Sequence, residues 1–133
     1  LLESLDVVVV MIHAREHGKS ARRVKEMVEI ESIDTQSGIP RINKSFSWLP
    51  SEDSFLYKGN SWLLAKISNE RGVPLGEIVR EISRRKKFLT LLYENNITGM
   101  KEVAKYLNAY RRNTKRIDNV LSGIERLEDL WTE

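Results

Sequence analysis

The chain has 133 residues, of which 41% are hydrophobic and 31% are charged, a balance typical of a globular protein with a modest core. Its 22 basic and 19 acidic side chains leave a formal net charge of +3, an excess too small by itself to indicate a nucleic-acid partner. The sequence contains no cysteine, which excludes disulfides and thiolate metal sites and fits a reducing compartment.

The first predicted element is a β-strand over residues 5–12. These residues are β-branched and almost continuously apolar, which is typical of a strand covered on both faces. The run is too short to span a bilayer, and no basic segment precedes it as in a signal peptide. The chain begins abruptly within this pattern, as if cut from a longer protein. We therefore expect self-association along this strand, or a neighbouring strand supplied by another chain.

The peptide HAREHGKS, residues 13–20, contains the letters of two functional motifs. The zinc motif H-x-x-E-H needs a helix to bring its histidines to one ion, but the preceding valines and Gly18 predict extended chain. A phosphate-binding P-loop needs a glycine where His13 stands, and its serine should open a helix. We interpret the peptide as a turn, so that residues 5–31 run out and back as a hairpin.

Two further strands are predicted before residue 59. The second strand of the first hairpin continues to Glu31, although Glu26 and Met27 interrupt its alternation of apolar and polar residues. The apolar side chains of the third strand share one parity, at Ile42, Phe46 and Trp48. The segment FLYKG, residues 55–59, predicts the short returning strand of a second hairpin.

After Gly59 the apolar spacing changes to three or four residues, which predicts helices. The first helix is expected to be capped by Asn60 or Ser61 and to end at Gly72. The later helices are expected to begin near Pro74, Thr98 and Thr114.

The second of these helices is expected to bury one apolar stripe, made of Leu75, Ile78, Val79, Ile82, Leu89, Leu92 and Tyr93. Strands come first and helices second, without alternation, so we predict an α+β fold. It should comprise a β-rich segment over residues 1–59 with antiparallel hairpins, followed by a bundle of three or four helices over residues 60–133.

Four segments in a fixed order carry a family resemblance: LDVVVVMIHAREHGKSARRVKEMVEI, SFSWLPSEDSFLYKG, SWLLAKISNERGVPLGEIVREISRRKKFL and NNITGMKEVAKYLNAYRRN. They resemble the C-terminal end of the archaeal type II/type IV secretion ATPases, which power archaeal flagella and pili. The similarity covers roughly residues 4–113. It implies a hexameric RecA-like motor that converts ATP hydrolysis into filament assembly, located in the cytoplasm and peripheral to the inner face of the membrane.

The resemblance also implies what this chain lacks. The family's P-loop, Walker-B acid, and Asp and His boxes lie upstream of the matching segment, so no catalytic, cofactor-binding or metal site is expected here. ATP and magnesium are implied only for the complete motor. Residues 1–59 would be the end of its RecA-like domain and residues 60–133 its C-terminal helical subdomain. The implied partners are the remainder of the motor, further copies in a hexamer and a membrane platform protein.

Two basic clusters are candidate contact sites. Arg22 and Arg23 match the family's paired arginines, and guanidinium groups pair bidentately with oxyanions, so these residues are expected to contact phosphate or an adjoining subunit. The alternative is a solvated strand edge. A second cluster predicts a patch for anionic lipid or an acidic partner, with the polar side of an amphipathic helix as the alternative: Arg84, Arg85, Lys86 and Lys87.

A small nucleic-acid-binding domain is the alternative from another functional class. Phosphate contacts need clustered cations, which the helices contain in two sets: Arg80, Arg84, Arg85 and Lys87, and Arg111, Arg112, Lys115 and Arg116. The 19 interspersed acidic residues and the lack of a helix-turn-helix signature argue against nucleic acid. Binding that weakens steeply with salt would favour it.

Overall fold

We describe the protein from a computed structural model, which defines residues 5–16 and 19–131. The chain forms two compact units, Leu1–Leu75 and Gly76–Glu133, called here the sheet unit and the helical unit. The predicted α+β order is confirmed: within the described residues, four antiparallel strands precede four α-helices. The first helix is grouped with the strands, so the boundary between the compact units lies beyond the change from strand to helix near residue 59.

The sheet unit contains an antiparallel meander with the strand order β1-β2-β3-β4. Its strands are β1 (Val7–Glu16), β2 (Lys19–Ile33), β3 (Pro40–Leu49) and β4 (Ser54–Tyr57). The predicted hairpin over residues 5–31 is confirmed, because β1 pairs with β2 from Glu16 and Lys19 at the tip to Val7 and Glu29 at the base. The expected turn glycine, Gly18, lies outside the described residues.

A β-bulge explains the interrupted alternation in the second strand. Val10 pairs with Glu26, but the next residue of β1, Met11, pairs with Val24, so Lys25 is an extra residue on β2. The side chains on either side of Lys25 therefore exchange faces relative to a regular strand. The β2–β3 ladder also shifts register twice, at Ser45 and at Glu31.

The helix α1 (Trp62–Arg71) has the predicted caps. The Ser61 hydroxyl accepts a hydrogen bond from the Leu64 amide at 3.1 Å, as a serine N-cap does. Gly72 ends the helix in the left-handed region with φ 62°, and its amide donates to the Ser68 carbonyl. None of the side chains of α1 is fully buried, so its own packing contributes little to its stability.

The helical unit contains most of α2 (Leu75–Glu94), α3 (Met100–Arg112), α4 (Thr114–Leu121) and a short 3₁₀ helix (Leu127–Trp131). Its core consists of Phe88, Leu92, Tyr110, Ile117, Val120 and Leu130. The Phe88 and Tyr110 rings lie with centroids 5.1 Å apart, which links α2 to α3. No α-helix of the described part of the chain is long and apolar enough to cross a membrane.

Two details of the helix predictions are wrong. Of the stripe expected to be buried on α2, only Leu92 is fully buried, and the central core position belongs to Phe88, which is 1% exposed. Apolar residues occur on several sides of α2, and α3 and α4 cover the side that carries Phe88. The residue before α3 is Gly99, which provides no side-chain cap, rather than Thr98.

Candidate functional site

The first candidate surface is β1, the outermost strand of the sheet. Its neighbouring residues Val8 and Val9 point to opposite faces and are 39% and 48% exposed, and Met11 is 58% exposed. Within the described residues β1 pairs only with β2, so its other edge presents backbone amides and carbonyls that pair with no strand. A strand that is apolar on both faces and open along one edge is suited to contact another protein surface.

The two arginines of the first predicted cluster, Arg22 and Arg23, have different surroundings in the structure. Arg23 donates from Nε and Nη2 to the two carboxylate oxygens of Asp53, each at 2.8 Å, which is a bidentate ion pair. The indole of Trp48 donates to the same carboxylate at 2.8 Å. Asp53 stands at positive φ in the β3–β4 turn, so these contacts connect that turn to β2. Arg22 is exposed and lies opposite His13 in the β1–β2 ladder.

The described residues of HAREHGKS lie in β-strands and not in a helix. His13 and Glu16 belong to β1, and Lys19 and Ser20 open β2 rather than a helix. The second histidine of the zinc motif, His17, lies outside the described residues. The described residues contain no group of three or more side chains placed to hold a metal ion.

Glu29 is a buried carboxylate of the sheet unit with several hydrogen-bond donors, at a position where the alternation of β2 predicts only a polar strand residue. It is 4% exposed, and its oxygens accept from the Ser61 hydroxyl at 2.5 Å, the Asn43 amide at 3.1 Å, and the Trp62 and Leu63 backbone amides at 2.8 and 3.3 Å. A strand carboxylate thus occupies the N-terminus of α1, where the helix dipole favours negative charge.

The pKa of Glu29 reflects this arrangement. Burial alone raises its pKa, but the hydrogen bonds from Ser61, Asn43, Leu63 and Trp62 outweigh burial and hold the pKa below its ordinary value. The first turn of α1 has no acidic residue of its own, which is the one sequence signal that a carboxylate from elsewhere occupies this position. Glu29 is a structural group that fixes α1 on the sheet.

The members of the second basic cluster also have different surroundings, and Arg84 is the one held inside the helical unit. This side chain is 19% exposed and donates from Nε to Asp118 at 2.7 Å and from Nη2 to the Thr114 carbonyl at 2.9 Å. Its guanidinium carbon lies 4.8 Å from the centroid of the Tyr110 ring, which is a cation–π contact. Arg84 therefore connects three helices inside the helical unit.

Glu81 completes the network around Arg84. It accepts from Arg85 at 2.8 Å, from the Tyr110 hydroxyl at 3.1 Å and from Arg84 at 3.3 Å. Burial raises the pKa of Glu81, but these three hydrogen bonds outweigh burial, so its pKa lies below the ordinary value. Burial and the bond to Glu81 raise the pKa of Tyr110. At neutral pH Glu81 is therefore a carboxylate and the Tyr110 hydroxyl keeps its proton, and their hydrogen bond joins α2 to α3.

Lys86 and Lys87 are exposed, as Arg85 is, but unlike Arg85 neither forms an ion pair with a described residue. They lie beside a groove of about 550 Å³ between α2 and α4, whose floor includes Leu91 and Val120. The other lining residues are Ser83, Thr90, Glu94 and Leu121. The groove combines an apolar floor with a cationic rim.

The first basic set proposed for nucleic acid is largely paired with carboxylates, whereas Arg111, Arg112 and Lys115 of the second set are exposed. Arg84 is taken up by the network described above, and Arg116 pairs with Glu125 at 3.1 Å. Arg85 pairs with Glu81, and Arg80 lies 3.8 Å from Glu77. Phosphate binding needs free clustered cations, so this pairing disfavours phosphate contacts by the first set.

Comparison with known proteins gives relatives without an assigned function. No family model matches the chain. The chain is similar to the uncharacterized protein MJ1287 of Methanocaldococcus jannaschii, with 30% identity over 89 residues that cover 67% of this chain and 33% of that protein. It is also similar to the uncharacterized protein MJ0781 of the same organism, with 24% identity over 117 residues, 88% of this chain and 16% of that protein. The chain thus spans about a third and about a sixth of the lengths of these relatives.

Proposed function

We propose that this chain is the C-terminal, non-catalytic portion of an archaeal secretion or filament-assembly ATPase. In this role the sheet unit joins the rest of the motor through β1, and the chain contributes contacts to neighbouring subunits of a hexamer and to a membrane platform protein at the cytoplasmic face of the membrane. The observation that carries the proposal is the exposed apolar β1, which complements the family resemblance of residues 4–113.

The exposure of β1 supports the proposal because such strands are normally buried in larger sheets. Strands with apolar residues at successive positions are typical of sheets covered on both faces. Val8 and Val9 lie on opposite faces and are each more than a third exposed, so both faces of β1 are partly open. We expect the remaining motor domain to pack against the exposed faces of β1.

The relatives also fit a chain that acts within a larger protein. The alignment with MJ0781 covers 88% of this chain but 16% of that protein, so most of that relative lies beyond the matching segment. Both relatives come from an archaeon, in agreement with the family to which the sequence is similar.

The residues of this chain do not fit ATP and magnesium, which the proposal assigns to the complete motor. A P-loop serine opens a helix and binds magnesium, whereas Ser20 continues β2. We therefore derive no hydrolytic step for this chain. We propose Arg22 for the predicted phosphate or subunit contact, because the guanidinium of Arg23 already pairs with Asp53.

A complementation experiment tests the proposal. An archaeal secretion ATPase that lacks the segment matching this chain is mixed with the intact chain, and hexamer formation and ATP hydrolysis are measured. We expect the chain to restore both. Val9→Lys should abolish the restoration, because it places a charge on the exposed face of β1.

Met100→Lys is the matched control, since Met100 is 84% exposed in the helical unit and lies outside β1. Circular dichroism establishes that both variants are folded. Failure of the folded wild-type chain to associate, or equal restoration by Val9→Lys, contradicts the proposal.

A further inference from the structure

A second apolar row lies on α2, apart from the side that forms the core. It consists of Val79, Ile82, Leu89 and Tyr93, which are 48%, 43%, 48% and 74% exposed. With Lys86 in the gap, the spacings are three and four residues in turn, the pattern of a coiled-coil seam. We call these five residues the outer stripe.

The outer stripe is a separate face of the helix. At about 100° per residue, its mean direction lies roughly 120° around α2 from that of Phe88 and Leu92, which face the core of the helical unit. A helix that is apolar on two faces is normally buried on both. Within the helical unit, α3 and α4 therefore cover the side of Phe88 and leave the outer stripe exposed.

Charge indicates the nature of that partner. Lys86 lies within the stripe, Lys87 lies about 100° further around α2, and both line the groove of about 550 Å³ whose floor includes Leu91 and Val120. Neither lysine forms an ion pair with a described residue. In a parallel pair with a second copy, the two Lys86 side chains would meet at the same level and repel, which disfavours a homodimer.

We propose that the outer stripe and the adjoining groove bind an acidic amphipathic helix of a partner protein. The apolar side chains of that helix cover Val79, Ile82, Leu89 and Tyr93, and its carboxylates pair with Lys86 and Lys87. This interface lies in the helical unit and does not depend on the role proposed for β1.

The probe for this interface is a fluorescein-labelled peptide of about three heptads, with leucine at the seam positions and glutamate at the flanking positions. A second peptide carries lysine in place of every glutamate, and a third is a scrambled version of the first. Binding to the intact chain is followed by fluorescence anisotropy. We expect the acidic peptide to bind with a Kd in the micromolar range, and the other two at least about tenfold more weakly.

Two charge-matched variants locate the binding site. The double variant Lys86→Glu/Lys87→Glu should weaken binding of the acidic peptide by about tenfold or more. The double variant Lys101→Glu/Lys115→Glu changes the net charge equally at exposed positions on α3 and α4, and should change the Kd by less than about twofold. Leu89→Asn should also weaken binding, while circular dichroism shows the fold retained, because Leu89 lies outside the core.

Other occupants give different results, and each overturns the proposal. A dimer in sedimentation experiments that Leu89→Asn dissociates assigns the stripe to a second copy of the chain. Flotation with phosphatidylglycerol vesicles, without peptide binding, assigns the lysines to a lipid surface. Absence of binding by the acidic peptide, or equal binding to Lys86→Glu/Lys87→Glu, removes the acidic helix as the occupant.

Discussion

Replacement of Glu29 tests how the sheet unit holds α1. In Glu29→Ala, the Asn43 side chain and the Trp62 and Leu63 amides lose the acceptor they share at 2.8–3.3 Å. Donors left without a partner cost about 1–3 kcal/mol each, and loss of the charge at a helix N-terminus costs up to about 2 kcal/mol more. Because water can enter the space that the shorter side chain leaves, we expect a total loss of about 3 kcal/mol in the free energy of unfolding.

Glu29→Gln separates the charge from the hydrogen bonds. Its carbonyl oxygen can accept from the Trp62 and Leu63 amides, and its amino group can donate to the Ser61 hydroxyl. The charge-assisted bonds become neutral ones, so we expect a loss of about 1.5 kcal/mol. Glu70→Gln is the matched control, since Glu70 is an exposed residue of α1, and it should change stability by less than about 0.5 kcal/mol.

Tryptophan fluorescence during urea unfolding measures these differences in the sheet unit. Trp48 and Trp62 belong to that unit, so a Trp131→Phe background removes the third tryptophan and leaves emission that reports on it alone. If Glu29→Ala unfolds within about 0.5 kcal/mol of the parent, the buried carboxylate does not anchor α1 and the reasoning is refuted.

The same carboxylate predicts the effect of pH. Folding lowers the pKa of Glu29, so its contribution is complete above the unfolded pKa of about 4.3 and is lost as pH falls through the folded pKa. The sheet unit of the parent protein should therefore weaken with acid more steeply than that of Glu29→Gln in the same urea titrations.

Three further substitutions have defined expectations in urea titrations followed by circular dichroism. Asp53→Ala should cost about 1.5 kcal/mol, because it removes the acceptor of Arg23 and of the Trp48 indole, and a cost below about 0.5 kcal/mol contradicts that role. Gly72→Ala should cost about 1 kcal/mol through backbone strain alone, since an added Cβ meets no atom within 4 Å; a neutral result argues against the left-handed cap. Phe88→Ala should cost about 4 kcal/mol in the helical unit, and a cost below about 1 kcal/mol is incompatible with its burial.

The sequence predicts best those features that local chemistry decides. Ser61 and Gly72 bound α1 because a serine N-cap and a left-handed glycine satisfy helix ends without help from distant residues. The sequence likewise predicts the first hairpin, from its β-branched run and from the turn expected at Gly18, and β1 pairs with β2 as expected. Even the broken alternation at Glu26 is a local signal, which the bulge at Lys25 accounts for.

Features that depend on distant partners were not predictable in the same way. Glu29 reads as an ordinary polar strand residue until Ser61, more than thirty positions away, is placed beside it. In the run from Arg84 to Lys87, neighbours lie about 100° apart on a helix, so adjacent cations face different surroundings. Arg84 is held by Asp118 of α4, which the sequence of α2 alone does not reveal.

The bulges in β2 and β3 bear on what β1 accepts as a neighbour. Bulges increase the twist of a sheet, and Lys25 introduces one opposite Val10 and Met11, within the apolar stretch of β1. Cross-β stacking into fibrils requires flat, evenly registered strands, and a coiled edge resists it. The irregular ladder thus disfavours cross-β stacking on the exposed apolar residues of β1.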